Sequence, residues 1–283
     1  MNEIGFDSLL CSNGFNAQAQ TRMVRHKDSR FDMEALLNAG HFETYQAYQS
    51  DPIFNCRWVA SFVGDQGTRA RFVGLYEVLG CLEPGSAPSL PSDFPSPAKM
   101  AVSTDYYYDL KKDTRCSHLE NRVVIEWGKG TRSWCQRYRD REVIEILPSG
   151  YVREFPGYLD FVLTYIELSE IVRSPAANRE WHRSLSAIAG VYLITDNVTG
   201  AQYVGSAYGK DGVLGRWREY AKRPDGGNLL LGELIRHNPG RERHFSFTLL
   251  QALDKSLSRK EVFAHEIKFK RKLGSRAFGL NAN

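Results

Sequence analysis

The sequence predicts an α+β protein of two domains, a β-rich domain followed by a smaller, basic domain that mixes strands and helices. The chain has 283 residues, enough for about two domains of ordinary size. Charge divides it in the same way: residues 1–185 carry 21 Lys and Arg against 24 Asp and Glu, whereas residues 186–283 carry 16 against 9. With 42% hydrophobic and 25% charged residues, the composition excludes collagen-like and disordered chains.

The first domain is predicted over residues 1–172. The runs RWVASFV (57–63) and RFVGLYEVLG (71–80) flank a glycine-containing loop and predict a β-hairpin. Residues 81–100 hold five of the eleven prolines, which indicates an exposed connection. Further elements are predicted by the hydrophobic pattern: a helical stretch at 31–42, strands at 105–110, 121–128 and 142–147, and an amphipathic helix at 158–172.

Residues 173–185 are predicted to be a linker, and residues 186–283 form the second predicted domain. It opens on GVYLITDNVTGAQYVGSAYG (190–209), two short strands around a turn at Thr199 and Gly200. The remaining elements follow in order: helices at 212–221 and 228–239, a strand at 244–253 and a helix at 258–274. The expected architecture is a three-stranded antiparallel sheet flanked by helices.

Several classes of protein are excluded by what the sequence lacks. No apolar run approaches the ~18 to 20 residues that span a bilayer, and residues 1–20 lack the pattern of a signal peptide. The five cysteines form no CxxC pair, so neither a disulfide framework nor a zinc site is indicated, and reduced, buried thiols are expected. We therefore expect a cytoplasmic protein. The basic second domain suggests a nucleic acid partner, since Lys and Arg release counterions from phosphates, although a solvated basic face is also compatible with this charge.

The second domain resembles the GIY-YIG nuclease family. Gly190-Val191-Tyr192 and Tyr203-Val204-Gly205 look like the two halves of that signature, with Val in place of Ile in both. The resemblance covers residues 188–283 and extends to the later positions of the family pattern: Arg216, Tyr220, Glu266 and Asn281. It implies a metal-dependent endonuclease that hydrolyses phosphodiester bonds in DNA.

The residue types fit such chemistry. Glu266 is a hard oxygen donor, and Mg²⁺ is commonly held by one or two carboxylates together with phosphate oxygens and waters; Mn²⁺ can be expected to substitute. Arg216 could grip the scissile phosphate with its planar fork of donors. By analogy with the family, Tyr192 is the candidate general base, and it would need nearby cations to favour the phenolate. The other assigned catalytic residues have supporting roles: Tyr220 in proton relay, Tyr203 in orienting water or phosphate, Lys210 as a nearby cation, and Asn281 in tying down the chain end or a phosphate.

The first domain is expected to select the target, because contacts to phosphates carry no sequence information. Its strands faintly resemble the small β-barrel of PUA-like and EVE-like domains, which bind nucleic acids and in some cases hold a flipped modified base. The candidate aromatic cage consists of Trp58, Tyr76, Trp127 and Trp134, for which core packing is the alternative. A basic and aromatic segment at 131–141 suits phosphate and stacking contacts, and the residues predicted to contact DNA are Arg132, Trp134, Arg137, Tyr138, Arg139 and, in the second domain, Arg218.

The leading hypothesis is therefore a Mg²⁺-dependent DNA endonuclease of restriction or defence type, with an N-terminal recognition module that could sense modified bases. A structure-specific or single-strand repair nuclease is the alternative within the same class, and a non-catalytic nucleic-acid-binding module is the alternative outside it. One active site per chain would require a homodimer, or two successive nicks, to cut both strands.

Overall fold

The computed structural model describes residues 4–16, 20–130 and 132–282. The chain divides at Pro148 into two units: unit 1 is Met1–Pro148 and unit 2 is Ser149–Asn283. In the described ranges, no helix combines the length and apolar character needed to cross a membrane.

Unit 1 is built mainly of strands. The α-helices in its described residues are α1 (Phe6–Ser12), α2 (Met33–Ala39) and α3 (Phe42–Ala47). Its strands are β1 (Thr21–His26), β2 (Tyr48–Gln49), β3 (Trp58–Gly64), β4 (Arg69–Leu82), β5 (Tyr106–Asp113), β6 (Val123–Glu126), β7 (Cys135–Arg137) and β8 (Val143–Ile146). The predicted hairpin is confirmed, since β3 and β4 pair in antiparallel register.

The sheet of unit 1 runs in the order β2-β5-β4-β3-β1-β7, with β6 and β8 joined to it through β4. The long strand β4 is the centre of this arrangement, because its first residues pair with β6 and its second half pairs with β5. The register between β3 and β4 shifts after Ser61, and an extra residue of this kind bends a strand and increases its twist.

The sequence suggested a small β-barrel for this unit, and the structure differs. Among the described residues, the terminal strands β2 and β7 do not pair with each other, so the curled sheet is open rather than closed. Within this sheet, β1 pairs with β3 in parallel. The chain between these two strands contains the helices α2 and α3. Two parallel strands need a long connection of this kind, because the chain must return to the same end of the sheet.

His26, at the end of β1, is a buried histidine of unit 1. The side chain is 3% exposed, and its ring packs edge-on against Phe42 with centroids 5.0 Å apart. Burial lowers the pKa of His26 to about 4, although the nearby Gln46 side chain and the charge of Asp28 oppose this. The folded unit therefore holds a neutral imidazole at neutral pH.

We expect unit 1 to lose about 2–3 kcal/mol of stability between pH 7.5 and pH 4.5 through this residue, since the unfolded histidine, with a pKa near 6.5, takes up a proton that the folded one rejects. The contribution is present above pH 6.5 and is lost as the pH falls toward 4. Urea denaturation at the two pH values should show this loss in the wild type and a smaller one in His26→Phe. Equal losses in both proteins would contradict the assignment.

Unit 2 alternates strands and helices. Its strands are β9 (Leu163–Thr164), β10 (Ala189–Asp196), β11 (Gln202–Ala207) and β12 (Phe245–Leu253), and its helices are α4 (Tyr165–Arg173), α5 (Arg179–Ala187), α6 (Gly212–Lys222), α7 (Leu229–His237) and α8 (Arg259–Leu273). The antiparallel sheet has the order β11-β10-β12-β9, so the three predicted strands are joined by a two-residue edge strand. The core contains Trp181, Trp217, Phe245 and Phe247, all essentially buried.

The structure moves the boundary of this unit toward the N-terminus. The predicted linker at 173–185 contains most of α5, whose Trp181 and Leu185 are four residues apart on one helical face and are buried in the unit 2 core. The preceding segment is fastened to the same unit, because Asn178 accepts a hydrogen bond from the Val152 amide at 3.0 Å and donates one to the Gly150 carbonyl at 2.7 Å. Residues 149–172 therefore belong with unit 2 and not with the β-rich unit.

The helix predicted at 158–172 begins later than expected, at Tyr165. Thr164 and Glu167 form a capping box: the Glu167 amide donates to Thr164 Oγ1 at 3.1 Å, and the Thr164 amide donates to the Glu167 carboxylate at 2.7 Å. A capping box of this kind fixes the first turn of a helix. Leu163 lies before the cap and pairs with β12 instead.

Candidate active site

The two sequence triplets lie side by side in a hairpin formed by β10 and β11. Tyr192 on β10 is directly opposite Gly205 on β11, and Tyr203 is opposite Ile194. The turn between the strands contains Gly200 in the left-handed region, with φ of 76°. The pairing of these strands thus brings the tyrosine of the first triplet against the glycine of the second.

Gly205 leaves room for the ring of Tyr192. A Cβ atom added at Gly205 would overlap the Tyr192 side chain, including its hydroxyl. Gly190 is constrained in a similar way by backbone, because a Cβ there would lie 2.9 Å from the Gln251 carbonyl oxygen. Gly205 therefore allows the fully buried Tyr192 to lie across β11, and Gly190 allows the backbone at Gln251 to approach β10 closely.

Gly205→Ala is expected to destabilise unit 2 by about 1–3 kcal/mol, the usual range for overpacking in a filled core. The new methyl group would also displace the Tyr192 hydroxyl from its partners. The free energy of unfolding in urea measures the effect. The matched control is Gly80→Ala on β4, where no atom lies within 4 Å of the added Cβ; equal stability of the two variants would contradict the prediction.

Tyr192, Arg216 and Tyr220 form a hydrogen-bonded cluster. The hydroxyls of Tyr192 and Tyr220 are 3.1 Å apart. Arg216 Nε donates to the Tyr192 hydroxyl at 3.3 Å, and its terminal nitrogen donates to the Tyr220 hydroxyl at 3.4 Å. The guanidinium carbon also lies 4.8 Å from the Tyr220 ring centroid. The four-residue spacing of Arg216 and Tyr220 on α6 places both on one face, as the sequence predicted.

The same surroundings set the ionisation of these groups. Burial raises the pKa of Tyr192, and Tyr203 adds to the rise, while Arg216 and Tyr220 act in the opposite direction. Burial likewise raises the pKa of Tyr220 and of Tyr203. Burial alone would lower the pKa of Arg216, but the three tyrosines raise it above its usual value. At neutral pH the cluster is therefore a charged arginine among neutral phenols.

Glu266 lies on α8 and is 7% exposed. Its Oε1 accepts from Lys270 Nζ at 2.8 Å, one helical turn further on, and its Oε2 accepts from the hydroxyl of Ser206. The carboxylate is close enough to Tyr203 to contribute to the raised pKa of that phenol. Tyr203 in turn packs beside Tyr192, with ring centroids 6.5 Å apart. Tyr203 thus links the carboxylate to the tyrosine and arginine cluster.

The side chain of Asn281 is hydrogen-bonded to the backbone of β11. Its side chain accepts from the Val204 amide at 2.9 Å and donates to the Val204 carbonyl at 2.9 Å. This two-way bond ties the last residues of the chain to β11, and Asn281 is 3% exposed. Of the two roles predicted for it, the structure supports anchoring of the chain end.

Lys210 and Arg218 lie outside the hydrogen-bonded cluster. Lys210 is exposed in the loop between β11 and α6. Arg218 is on α6 and lies 3.9 Å from Asp211, an ion pair between exposed groups. Neither side chain makes a hydrogen bond with Tyr192, Tyr220 or Glu266 among the described residues, and their predicted roles, Lys210 as a nearby cation and Arg218 in DNA contact, stay predictions.

Three residues of the site were missed by sequence reasoning. Asn228, in the residue before α7, donates to the Tyr220 hydroxyl at 2.9 Å. Ser206 and Lys270 hold the two oxygens of Glu266. The spacing of Glu266 and Lys270, i and i+4 on a helix, was a usable signal for their pairing, whereas nothing local in the sequence connects Asn228 to Tyr220.

The four aromatic residues proposed as a cage in unit 1 are not brought together. Trp127 is fully buried beside Phe62 in one core cluster, and Tyr76 is buried in another. Trp58 packs edge-on against Phe15. Trp134 is 38% exposed and lines a cavity that contains none of the other three. The cage prediction is therefore corrected, because two of its members are core residues.

The segment predicted to contact DNA contributes to two separate cavities of unit 1. Arg137 and Tyr138 line a cavity of about 780 Å³ together with Arg22 and Arg57. Arg22 and Arg137 are directly opposite each other on β1 and β7. The other residues of the segment are placed as follows: Arg132 and Trp134 line the second cavity, and Arg139 is exposed.

The residues available to hold a metal ion are few. In the ranges that the structure describes, no group of three or more His, Cys, Asp or Glu side chains is positioned to bind one. The five cysteines are free, and Cys116 alone is buried, so the expectation of buried thiols is wrong for Cys11 and Cys81, which are exposed. A single carboxylate such as Glu266 suits Mg²⁺, which keeps several waters and takes its other ligands from substrate phosphates.

Comparisons with known proteins found similarity to two solved structures and to no family model. No family model matches the chain, and no curated protein matches it. Two solved structures are similar to it over 34% of its length: the catalytic domain of the homing endonuclease I-TevI and a mutant catalytic domain of the intron endonuclease I-TevI. Each is 18% identical to this chain with a TM-score of 0.28, and the match covers 98% and 94% of those chains, respectively. A likeness of this size does not bear on function.

Proposed function

We propose that this protein is a metal-dependent DNA endonuclease, with unit 2 as its catalytic unit and unit 1 as the module that selects the target. The observation that carries the proposal is the hydrogen-bonded cluster of the buried Tyr192 and Tyr220 with the half-buried Arg216, joined through Tyr203 to the carboxylate of Glu266. Phosphodiester hydrolysis requires a group that binds the phosphate, a means of activating water and a site for a cation. This cluster offers a candidate for each.

Glu266 is the residue proposed to hold the divalent cation, with Mg²⁺ as the preferred ion. A cation bound there would lower the pKa of a bound water and stabilise negative charge on the phosphate. In the structure the Glu266 carboxylate is held by Lys270 and Ser206. These two contacts fix its direction, and the Lys270 ammonium balances its charge while no cation is bound.

Arg216 is proposed to bind the scissile phosphate. Partial burial of its positive charge is unfavourable unless the charge is compensated, and the contacts of the half-buried Arg216 are to phenol hydroxyls and a π face rather than to a carboxylate. A phosphate would supply the missing negative charge. Tyr192 is proposed to take the proton of the attacking water, which requires the phenolate, and the hydrogen bonds from Arg216 and Tyr220 favour that form.

The arginines of unit 1 support a role in target selection. Arg22, Arg57 and Arg137 line one cavity, and an arginine pair facing across two strands is repulsive unless an anion lies between them. Phosphate groups of DNA would provide that anion. Because one unit would select the target and the other would cleave it, we propose a role as a restriction or defence nuclease. A homodimer, or two successive nicks, would be needed to cut both strands.

The first experiment incubates purified full-length protein and Mg²⁺ with unmodified plasmid and with phage DNA rich in modified cytosine, each against an EDTA control. Cleavage that requires the metal is the expected result. Discrete fragments from the plasmid would indicate recognition of sequence, and cleavage of the modified DNA alone would indicate recognition of the modification.

Failure to cut either DNA would be followed by single-stranded and branched substrates under the same conditions. Cutting confined to those would replace the restriction role by the repair role. No cutting of any substrate, by protein that still binds DNA, would leave a non-catalytic binding module and would refute the proposal.

A further inference from the structure

Unit 1 contains a second cavity, of about 690 Å³, which is here called the His26 cavity. It is formed by the end of β1 with the loop that follows, by α3 and β2, by the loop around Lys99 and by the segment that contains Trp134. Its volume falls within the range of about 300–1,000 Å³ that is usual for small-molecule sites. No role in the proposed cleavage chemistry uses it.

Aromatic rings form a large part of its wall. Tyr45, Tyr48 and Trp134 all line the cavity. The Tyr45 hydroxyl donates to Asp28 at 3.2 Å and the Tyr48 hydroxyl donates to the Pro88 carbonyl, so these two rings contribute apolar surface. Trp134 is 38% exposed, which is unusual for so large an apolar side chain and leaves part of its indole available for stacking.

His26 adds a polar group at the wall of this cavity. It is 3% exposed, and its Nε2 has no hydrogen-bond partner among the residues that the structure describes. The ring lies 5.5 Å from that of Tyr45 and 6.2 Å from that of Trp134, centroid to centroid. A buried polar atom without a partner is unfavourable. A ligand that offers a hydrogen bond inside the cavity would remove this penalty.

The charges around the cavity favour an anion. Five cationic and two acidic side chains line it, namely Arg25, Lys27, Arg30, Lys99, Arg132, Asp28 and Asp105. Asp28 is paired with Arg30 at 2.7 Å. Arg25 donates to three carbonyl oxygens, at Asp65, Gly67 and Arg69. Arg132 and Lys27 are exposed and make no ion pair with described residues. Lys27 Nζ donates to the Asp65 carbonyl at 3.2 Å, a surface bond that leaves its charge uncompensated, so both cations could pair with a phosphate.

We propose that the His26 cavity binds a nucleotide, with the base stacked on Trp134, an edge of the base hydrogen-bonded to His26 Nε2, and the phosphate held by Lys27 and Arg132. A planar ring that bears hydrogen-bonding groups and an attached anion is the ligand that combines these three features. The same chemistry is offered by a free mononucleotide and by a nucleotide extruded from DNA. The second source rests on the proposed function, whereas the site itself does not.

The test measures binding to the full-length protein carrying Glu266→Gln, which is intended to prevent cleavage. Calorimetry with the four deoxynucleoside monophosphates, with 5-methyl- and 5-hydroxymethyl-dCMP, and with inorganic phosphate tests the free source. Fluorescence anisotropy with 20-base-pair duplexes carrying each of these bases at the centre tests the DNA source. All measurements are repeated in Trp134→Ala, His26→Phe and, as a control outside the cavity, Leu79→Ala, whose side chain is 55% exposed on β4.

Loss of the stacking surface should weaken binding of the preferred nucleotide or duplex about 10-fold or more in Trp134→Ala, the size expected for one base stacked on one aromatic ring. His26→Phe should reduce discrimination among the bases, and Leu79→Ala should bind as the parent does. Binding of mononucleotides supports a free ligand, and binding seen with duplexes alone supports an extruded base.

Two outcomes would overturn the proposal. One is that neither Trp134→Ala nor His26→Phe changes binding of any nucleotide or duplex. The other is that inorganic phosphate binds as tightly as every nucleotide, which would mean that the base makes no contact. Both readouts are independent of cleavage. If the protein binds nucleotides in this cavity but cuts no DNA, the nucleotide site is supported and the proposed endonuclease activity is refuted.

Discussion

Glu266→Gln is expected to lower the rate of DNA cleavage by at least about 100-fold and to leave DNA binding within about twofold. The amide keeps the shape of the carboxylate but loses the charge that would hold a divalent cation. Removing one group that stabilises charge in the transition state typically reduces the rate 10²- to 10³-fold. Single-turnover cleavage with Mg²⁺ and anisotropy measurements with Ca²⁺ would separate the two effects.

This variant needs a control for stability, because Glu266 pairs with Lys270 at 2.8 Å and both side chains are buried. Leaving one member of a buried ion pair alone typically costs about 3–5 kcal/mol. The double variant Glu266→Gln with Lys270→Met removes both charges and should regain most of the stability lost by the single variant. It should still fail to cleave.

Cleavage at the wild-type rate by the double variant would show that the carboxylate is not a metal ligand. A stable single variant that neither cuts nor binds DNA would place Glu266 in DNA binding instead. Lys270→Met alone is informative as well. We expect it to bind the cation more readily, because its ammonium no longer competes for Glu266 Oε1.

Much of unit 2 could be predicted from the sequence because its signals are local. The two triplets, the turn at Gly200 and the spacing of Arg216 and Tyr220 all depend on residues within a few positions of one another. The helix α8 is another example, since Ser258 and Glu261 form a capping box at its start and Gly274 ends it in the left-handed region. Patterns of this kind follow directly from strand and helix periodicity.

The remaining features depend on contacts that the sequence does not encode locally. Trp127 and Trp134 are seven positions apart and have the same side chain, yet one is fully buried and the other is 38% exposed. The difference arises from the pairing of β4 with β6, which buries Trp127, and no short-range pattern reports it. The start of unit 2 was misplaced for the same reason, because β9 is held by β12, more than eighty residues later in the chain.

Tyr192→Phe is expected to reduce cleavage by about 10²- to 10³-fold, within the range that a positioned general base contributes. The ring and its packing across Gly205 are kept, so the variant loses only the hydrogen bonds with Tyr220 and Arg216, at 3.1 and 3.3 Å. Losing such bonds typically changes stability by about 1–2 kcal/mol. Tyr220→Phe is the matched control, since it removes the neighbouring hydroxyl, and we expect it to retain more activity than Tyr192→Phe.

The dependence of the rate on pH distinguishes a base from a purely structural tyrosine. Burial raises the pKa of Tyr192, so the phenolate is a minor species at neutral pH and its fraction grows about tenfold for each pH unit. If this phenolate takes the proton of water, the single-turnover rate of the wild type should rise with a slope near one between pH 6 and 9. Tyr192→Phe should then cleave slowly with little dependence on pH. A variant that keeps the full slope would assign the ionisation to another group and leave Tyr192 with a role in positioning Arg216.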